Sequence, residues 1–294
     1  MPCTRTWLTW KHPATVSAAS KPRANLSPRL AYIELPMPHT PTQFLKIEQD
    51  GPVVTVTLNN PDVLNAFNDE MHLAMCELWW DLGEDPSVKA VILTGAGKAF
   101  SAGGNIPGFI RTHEDMEYRR REMRLARRLL EAMAGFHKPV IAAINGPAVG
   151  LGLNVALLCD IVYIADSTFV ADTHVSVGLV AGDGGAAFWP LMMGLLRCKE
   201  YLLTGDRIPA SKAVELGLAT RAVPDASLLN EARTMANKLA ALPHQAVQET
   251  KRALNLHLQD FILRAAPFAL AAEAESFITA DVKTTIENFG KKNK

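Results

Sequence analysis

Two glycine-rich stretches carry the most distinctive chemistry in this chain. The first, Leu93-Thr94-Gly95-Ala96-Gly97-Lys98-Ala99-Phe100-Ser101-Ala102-Gly103-Gly104-Asn105-Ile106, leaves a β-type run and is too rich in glycine for a helix. Bare backbone of that kind can lie against a ligand and offer N–H groups to an oxygen. It has neither the Gly-Lys-Ser/Thr ending of a phosphate loop nor the G-x-G-x-x-G placement of a dinucleotide loop. The second, Ile144-Asn145-Gly146-Pro147-Ala148-Val149-Gly150-Leu151-Gly152-Leu153-Asn154, follows an apolar run and enters a helical pattern directly. A helix N-terminus there presents unpaired N–H groups and the positive end of the dipole. A carbonyl that becomes an enolate gathers negative charge on oxygen, and pre-aimed N–H donors contribute about 3 to 4 kcal/mol each to such a step. Taken singly, either stretch is equally well a tight turn.

Three side chains could move protons or steer water beside such donors. His174 precedes the glycine-rich turn from Gly178 to Gly185, and Asp183 lies on it. An imidazole titrates near neutrality, and a carboxylate accepting its N–H would fix the tautomer and make the pair a base that activates water. Nine residues of separation set no distance, so a surface histidine and a turn aspartate that never meet is the alternative. Asn154 stands three residues after Leu151, on the same helical face. An amide cannot act as a base, so its part is to orient water or substrate.

The elements that must position these residues read as α/β. Strand patterns at Phe44–Glu48 and Val53–Leu58 flank the hairpin turn Asp50-Gly51-Pro52. Asn68 caps a helix to Leu82, Ala90–Leu93 is a buried strand, and a long helix covers His113–Met133 before Lys138-Pro139. Val140–Ile144, Ile161–Ile164 and Phe169–Ala171 are further strands, with a helix over Gly150–Cys159. Strands alternating with helices imply parallel pairing. Beyond Gly185 nearly everything is helical, with segments at Ser227–Leu242, Pro243–His257 and Phe261–Phe289. Their surplus apolar stripes suit another subunit or a helical cap.

Thirty basic residues balance thirty acidic ones, so no overall field draws nucleic acid or an anionic membrane. No apolar run approaches the ~20 residues of a membrane span. Cys3, Cys76, Cys159 and Cys198 lie far apart, with no metal spacing, and read as reduced buried thiols of a cytoplasmic protein. Residues 1–40 are acid-poor and rich in Ser, Thr, Pro and Ala, which suits a disordered tail or a leader; as an organelle transit peptide they would direct the chain to the mitochondrial matrix.

At five places the sequence resembles the crotonase, or enoyl-CoA hydratase/isomerase, superfamily: Leu64-Asn65-Ala66-Phe67-Asn68, Lys98 to Gly104, Lys138 to Gly146, Cys159-Asp160-Ile161 and Leu203-Thr204-Gly205-Asp206. The resemblance implies a spiral of ββα units over 41–224 and a C-terminal helical trimerisation region over 225–294, giving a homotrimer or a hexamer. It implies an acyl-CoA substrate, with coenzyme A as part of that substrate and no separate cofactor or metal. It places the oxyanion hole on the backbone N–H groups of Gly104 and Leu151, sets Ala66, Phe67, Ala102, Gly103 and Gly150 against the CoA thioester, and puts Ile106 at the adenine end. Family hydratases use two glutamates, and here their positions hold Asn154 and His174. The His174–Asp183 spacing and Phe188-Trp189-Pro190 are similar to 6-oxocamphor hydrolase, a β-diketone-cleaving member.

Three functions are consistent with these residues: an enoyl-CoA hydratase or isomerase, a carbon–carbon hydrolase, and a CoA-binding protein without turnover. The arginines from Arg119 to Arg128 read as a solvated helix face or as attraction for CoA phosphates, a part open also to Lys251 or Lys283. His12, His39, His72, His137, His244 and His257 read as surface residues, and Trp79 and Trp80 as core and interface.

Overall fold

A computed structural model describes residues 42–292. The stretch 1–40 read as a tail or leader lies outside the described residues.

Strands β1 (Leu45–Asp50) and β2 (Val53–Leu58) form the expected antiparallel hairpin. After α1 (Asp69–Glu84), β3 (Ala90–Gly95) pairs parallel to β2. Helices α2 (Ile106–Glu114) and α3 (Met116–Gly135) lead to β4 (Val140–Ile144), and β5 (Ala148–Val149) runs into α4 (Leu151–Leu157). Strands β6 (Ile161–Ala165) and β7 (Phe169–Ala171) precede α5 (Gly185–Met193) and α6 (Leu195–Thr204). Then come β8 (Ile208–Pro209), α7 (Ala210–Leu216) and β9 (Arg221–Val223), and finally α8 (Leu228–Ala240), α9 (His244–Ser276) and α10 (Ala280–Lys292).

The main sheet has the order β1-β2-β3-β4-β6-β9, parallel from β2 onward. Both faces are covered. Val91, Leu93, Val140 and Ala142 point into the large core with α1, α3 and α9, while Ala90, Ile92, Ile141 and Ala143 pack with α8. Burial on both faces is why these strands read as unbroken apolar runs. A second, three-stranded sheet has the order β5-β7-β8, and Ser101 bridges onto it at Ala148. Successive turns of chain thus place one strand in each sheet, the spiral of ββα units that the resemblance implies.

Three expectations change in detail. The long helix expected from His113 is cut at Asp115, whose side chain accepts from Glu117 N and Tyr118 N and starts α3. Upstream, Asn105 caps a helix not foreseen, α2, beginning where glycine content falls and Pro107 favours a first turn. The break expected after His257 is absent, because α9 runs 33 residues through Pro267, and the segment expected over Phe261–Phe289 breaks instead after Ser276, before α10. Among the described residues no helix is long and apolar enough to cross a membrane.

Asn65 ties the glycine loops to this frame. It is fully buried in left-handed backbone (φ 55°). Its side chain accepts from Asn60 N at 2.8 Å and donates to Ala96 O and Ala99 O, each at 2.8 Å, and its carbonyl accepts from Ser101 Oγ at 2.8 Å. Asn65→Ala removes three side-chain hydrogen bonds from a fully buried site, and a urea titration is expected to show a loss of about 3 kcal/mol of stability.

Candidate active site

The two glycine loops meet backbone to backbone. A Cβ on Gly103 (φ 88°) would stand 2.9 Å from Val149 O and 3.7 Å from Leu151 N, and one on Gly152 would stand 2.5 Å from Ser101 Cβ. Only glycine permits this approach. On the far side of the first loop, Phe67 N donates to Gly103 O at 2.7 Å and Asn105 N to Phe67 O at 3.0 Å. Those bonds straddle Gly104, and among the described residues neither Gly104 N–H nor Leu151 N–H donates to a backbone acceptor. Leu151 opens α4, where a helical N–H has no intrahelical partner. Both residues line a cavity of about 290 Å³.

His174 sits against this pair of donors. It follows the end of β7, and its Cε1 lies 3.4 Å from where a Cβ on Gly150 would be. The ring is held from both sides: Nδ1 is 2.6 Å from Asp172 Oδ1 and Nε2 is 3.4 Å from Asp183 Oδ2. Burial alone pushes the imidazole pKa down, but the charges of Asp172 and Asp183 outweigh it and hold the ring well above its ordinary value. His174 is therefore an imidazolium at neutral pH. Burial, the largest single effect, pushes Asp172 up, but the charge of His174 together with the hydrogen bonds from its ring and its backbone N–H outweighs it and holds the carboxyl below its ordinary value.

Asp183 is fixed from its other side too. Asn154 Nδ2 donates to Asp183 Oδ1 at 2.8 Å, while Trp189 Nε1 donates to Asn154 Oδ1 at 2.9 Å. Glu273, from α9, completes the wall. It is buried, and its Oε2 has no hydrogen-bond partner. Burial first, then the negative charge of Asp183, holds its carboxyl well above the usual range, which favours the neutral form of Glu273.

The sequence profile described as enoyl-CoA hydratase/isomerase matches residues 48–294. This chain belongs to the enoyl-CoA hydratase/isomerase family. It is 33% identical over 249 residues to the short-chain-enoyl-CoA hydratase of Clostridium acetobutylicum, covering 84% of this chain and 95% of the relative. Among solved structures it is similar to an enoyl-CoA hydratase/isomerase from Mycobacterium paratuberculosis (TM-score 0.81, 45% identity, 84% of this chain and 98% of that one). It is also similar to a β-diketone hydrolase from the cyanobacterium Anabaena (TM-score 0.77, 26% identity, 84% and 98%). The crotonase fold and an enzyme of this family are thus what the chain encodes.

Of the residues singled out in the sequence of this crotonase-family enzyme, Phe67, Ala102, Gly103, Gly104, Ile106, Gly150, Leu151, His174 and Asp183 all line the one cavity. Ala66 and Asn154 do not. Asn154 is fully buried, and both ends of its amide are taken by Asp183 and Trp189, so it orients a carboxylate rather than water or substrate. His174 and Asp183 do meet, at 3.4 Å, and the two flanking carboxylates favour the charged ring over the neutral imidazole that a base requires.

Asp172 and Glu273 were missed. Asp172 precedes His174 by two residues at a strand end, a D-x-H spacing in which the carboxylate also accepts His174 N at 3.2 Å. Glu273 is a carboxylate on the apolar stripe of Ala266, Ala269, Leu270 and Phe277, an anomaly visible at helical spacing, though nothing there points across the chain to Asp183. His72, read as a surface residue, is 5% exposed. Lys251 is not free for phosphates: it is buried, with Nζ 2.8 Å from Lys138 O and 2.7 Å from Asp160 Oδ2. The arginine-rich helix is a salt-bridged face, with Arg120 on Glu117, Arg121 on Asp69, Arg127 on Glu131 and Arg128 on Glu77. Cys76, Cys159 and Cys198 are buried free thiols, and burial pushes Cys76 up to about 12.

Asp172, His174 and Asp183 offer ligand atoms within 4.8 Å of one another, close enough for a metal ion. Both ring nitrogens are already engaged by carboxylates, and the imidazolium supplies the cation that this cluster needs. Chelator treatment is expected to leave turnover unchanged in a steady-state assay.

The neutral carboxyl of Glu273 has a thermodynamic signature. Its raised pKa means that the folded protein binds a proton the unfolded chain releases near pH 4.3, so stability is lost as pH rises above that value until the folded pKa is passed. Glu273→Gln removes this loss. Its melting temperature is expected to gain on wild type as pH rises above the ordinary carboxyl pKa of about 4.3 in parallel thermal melts.

Proposed function

We propose that this enzyme binds an acyl-CoA thioester with its carbonyl oxygen between Gly104 N–H and Leu151 N–H, stabilises the enolate formed there, and hydrates an enoyl-CoA. The observation that carries this reading is that two unengaged backbone donors and a proton acceptor–donor pair, Asp183 and Glu273, line one cavity. Phe67, Ala102, Gly103 and Gly150 flank the thioester, and Ile106, 41% exposed at the mouth, suits the adenine end. Hydration requires one group to take a proton from water and another to give one to carbon. Asp183, its charge held by His174 and its orientation by Asn154, takes the proton as the water oxygen adds to Cβ. Glu273 gives its proton to Cα as the enolate collapses, and the proton on Asp183 then returns Glu273 to its neutral form. Double-bond isomerisation needs only the removal and return of one proton, and the same pair can do it. No cofactor beyond the CoA of the substrate enters these steps.

A carbon–carbon hydrolase is the second reading. It is favoured by the caged His174 in place of a glutamate and by the likeness to the Anabaena β-diketone hydrolase. There, water attacks a ketone carbonyl and the departing enolate enters the same hole. The exposed apolar side chains Trp80, Leu196, Leu203 and Phe268 suit burial in a homotrimer or a dimer of trimers, and a place in fatty acid metabolism follows from enoyl-CoA hydration.

A substrate panel with mass spectrometry tests the assignment. Enoyl-CoA esters are expected to gain the mass of one water, and Asp183→Asn and Glu273→Gln to lower the rate about a hundredfold or more. Because Glu273 acts as an acid, activity falls as pH rises through its pKa. Unchanged enoyl-CoA together with an opened cyclic β-diketone would instead assign the hydrolase.

A further inference from the structure

The cavity has an aromatic end that the proton chemistry does not use. Phe109 on α2, Phe277 at the end of α9 and Phe289 on α10 all line it, joined by Met123 of α3 and by Val177 and Leu179, which follow His174. The rings form one edge-to-face set: Phe109 stands 5.3 Å from Phe277 with 60° between planes, and 5.9 Å from Phe289 with 80°. Phe277 and Leu179 are buried, whereas Phe109, Val177 and Phe289 keep part of their surface accessible. None of the six side chains carries a charge or an N–H or O–H donor. Accessible apolar surface inside a binding cavity favours whichever apolar group covers it.

The position of this end is set by the fold. His113 Nδ1 lies 2.6 Å from Phe277 O. A carbonyl oxygen only accepts, so Nδ1–H donates and ties α2 to the corner between α9 and α10. Helix α10 is seated there by Val282, which is fully buried, and by Gly178 (φ 84°), where a Cβ would stand 3.2 Å from Val282 Cγ2. Glu273 and Phe277 are four residues apart, with Phe277 N donating to Glu273 O at 3.2 Å. They therefore share one face of α9, about 6 Å apart along its axis. The aromatic end thus begins about one helical turn past the carboxyl that serves the substrate's Cα. A methyl group at C4 stops short of it, and an unbranched chain several carbons longer reaches it. We infer that Phe109, Phe277 and Phe289 close the acyl pocket and select medium-chain apolar acyl groups over four-carbon ones. This rests on the acyl-CoA reading above.

The test uses the full-length protein and saturated thioesters, which cannot be hydrated: butanoyl-CoA, octanoyl-CoA, and octanoyl-CoA bearing a carboxylate on its last carbon. Titration calorimetry is expected to show octanoyl-CoA binding about tenfold tighter than butanoyl-CoA or better, since burial of each methylene corresponds to about fourfold in affinity. The terminal carboxylate would lose its water against three rings, and is expected to abolish that gain. Phe109→Gln and Phe289→Gln should each cut the octanoyl preference severalfold, read as the ratio of the two dissociation constants within each variant so that a general weakening cancels. Equal binding of butanoyl-CoA and octanoyl-CoA by wild type overturns the inference. So does equal binding of octanoyl-CoA and its carboxylated form, a comparison that needs no variant, or a preference undiminished in both variants. Thioesters that bind with this preference while no enoyl-CoA is turned over would sink the hydratase reading and leave the inference standing. Turnover of enoyl-CoA without the preference would sink the inference alone. If no thioester binds at all, both readings fail.

Discussion

The contact between two stretches of bare backbone is the constraint on which the site depends. Gly103 against Val149 O and Gly152 against Ser101 leave no volume for a side chain, so the donors at Gly104 and Leu151 are placed by main chain alone. Donors held this way would not relax if a reaction put charge between them, because their atoms have nowhere to go. Around this contact the parallel strands act as a rack. Strands β3 and β4 end beside one another, Thr94 opposite Ala143, and deliver both loops to the same edge. Asn65 then locks the first loop against the segment that carries Phe67.

The ionisable groups behind the hole are ordered by burial and by one another rather than by residue type. Three carboxyls and an imidazole share a small volume, and full ionisation of all three acids would leave two net negative charges there. The surroundings favour a charged ring at His174, hold Asp172 below its ordinary pKa and push Glu273 well above its own. Position explains which acid stays protonated: Asp172 and Asp183 each meet the imidazolium, while Glu273 has no counter-charge in hydrogen-bond contact. Like charges in a poorly solvated pocket separate in this way, which gives chemically equivalent side chains different proton affinities.

Much of this was legible in the residues. The parallel sheet followed from apolar runs too short for helices, and the hole from glycines at positions where a strand empties into a helix. His174 and Asp183 were legible as a pair, though not as a cation and its counter-ion, because the deciding partner, Asp172, works by charge rather than by motif. Glu273 reaches the site from α9 over some ninety residues of intervening chain, and no local pattern encodes that meeting. The break at Asp115 was hidden for another reason: helical periodicity continues across it, and only the capping bonds to Glu117 N and Tyr118 N mark the new start. His72 looked like a surface residue because its neighbours on α1 are mixed, and its burial comes from α3 closing over it.

Asn154 carries a historical implication. Its amide is polarised in one sense only, nitrogen toward Asp183 and oxygen toward the indole of Trp189. A glutamate introduced there, at the position where family hydratases hold one of their pair, would turn an acceptor toward Asp183 and face carboxylate with carboxylate. The two-glutamate layout is therefore closed to a single substitution at this position. Any mutational path between the two catalytic layouts has to alter residues 154 and 183 together, or pass through a neutral side chain at one of them first, so the two positions are expected to show epistasis across the family.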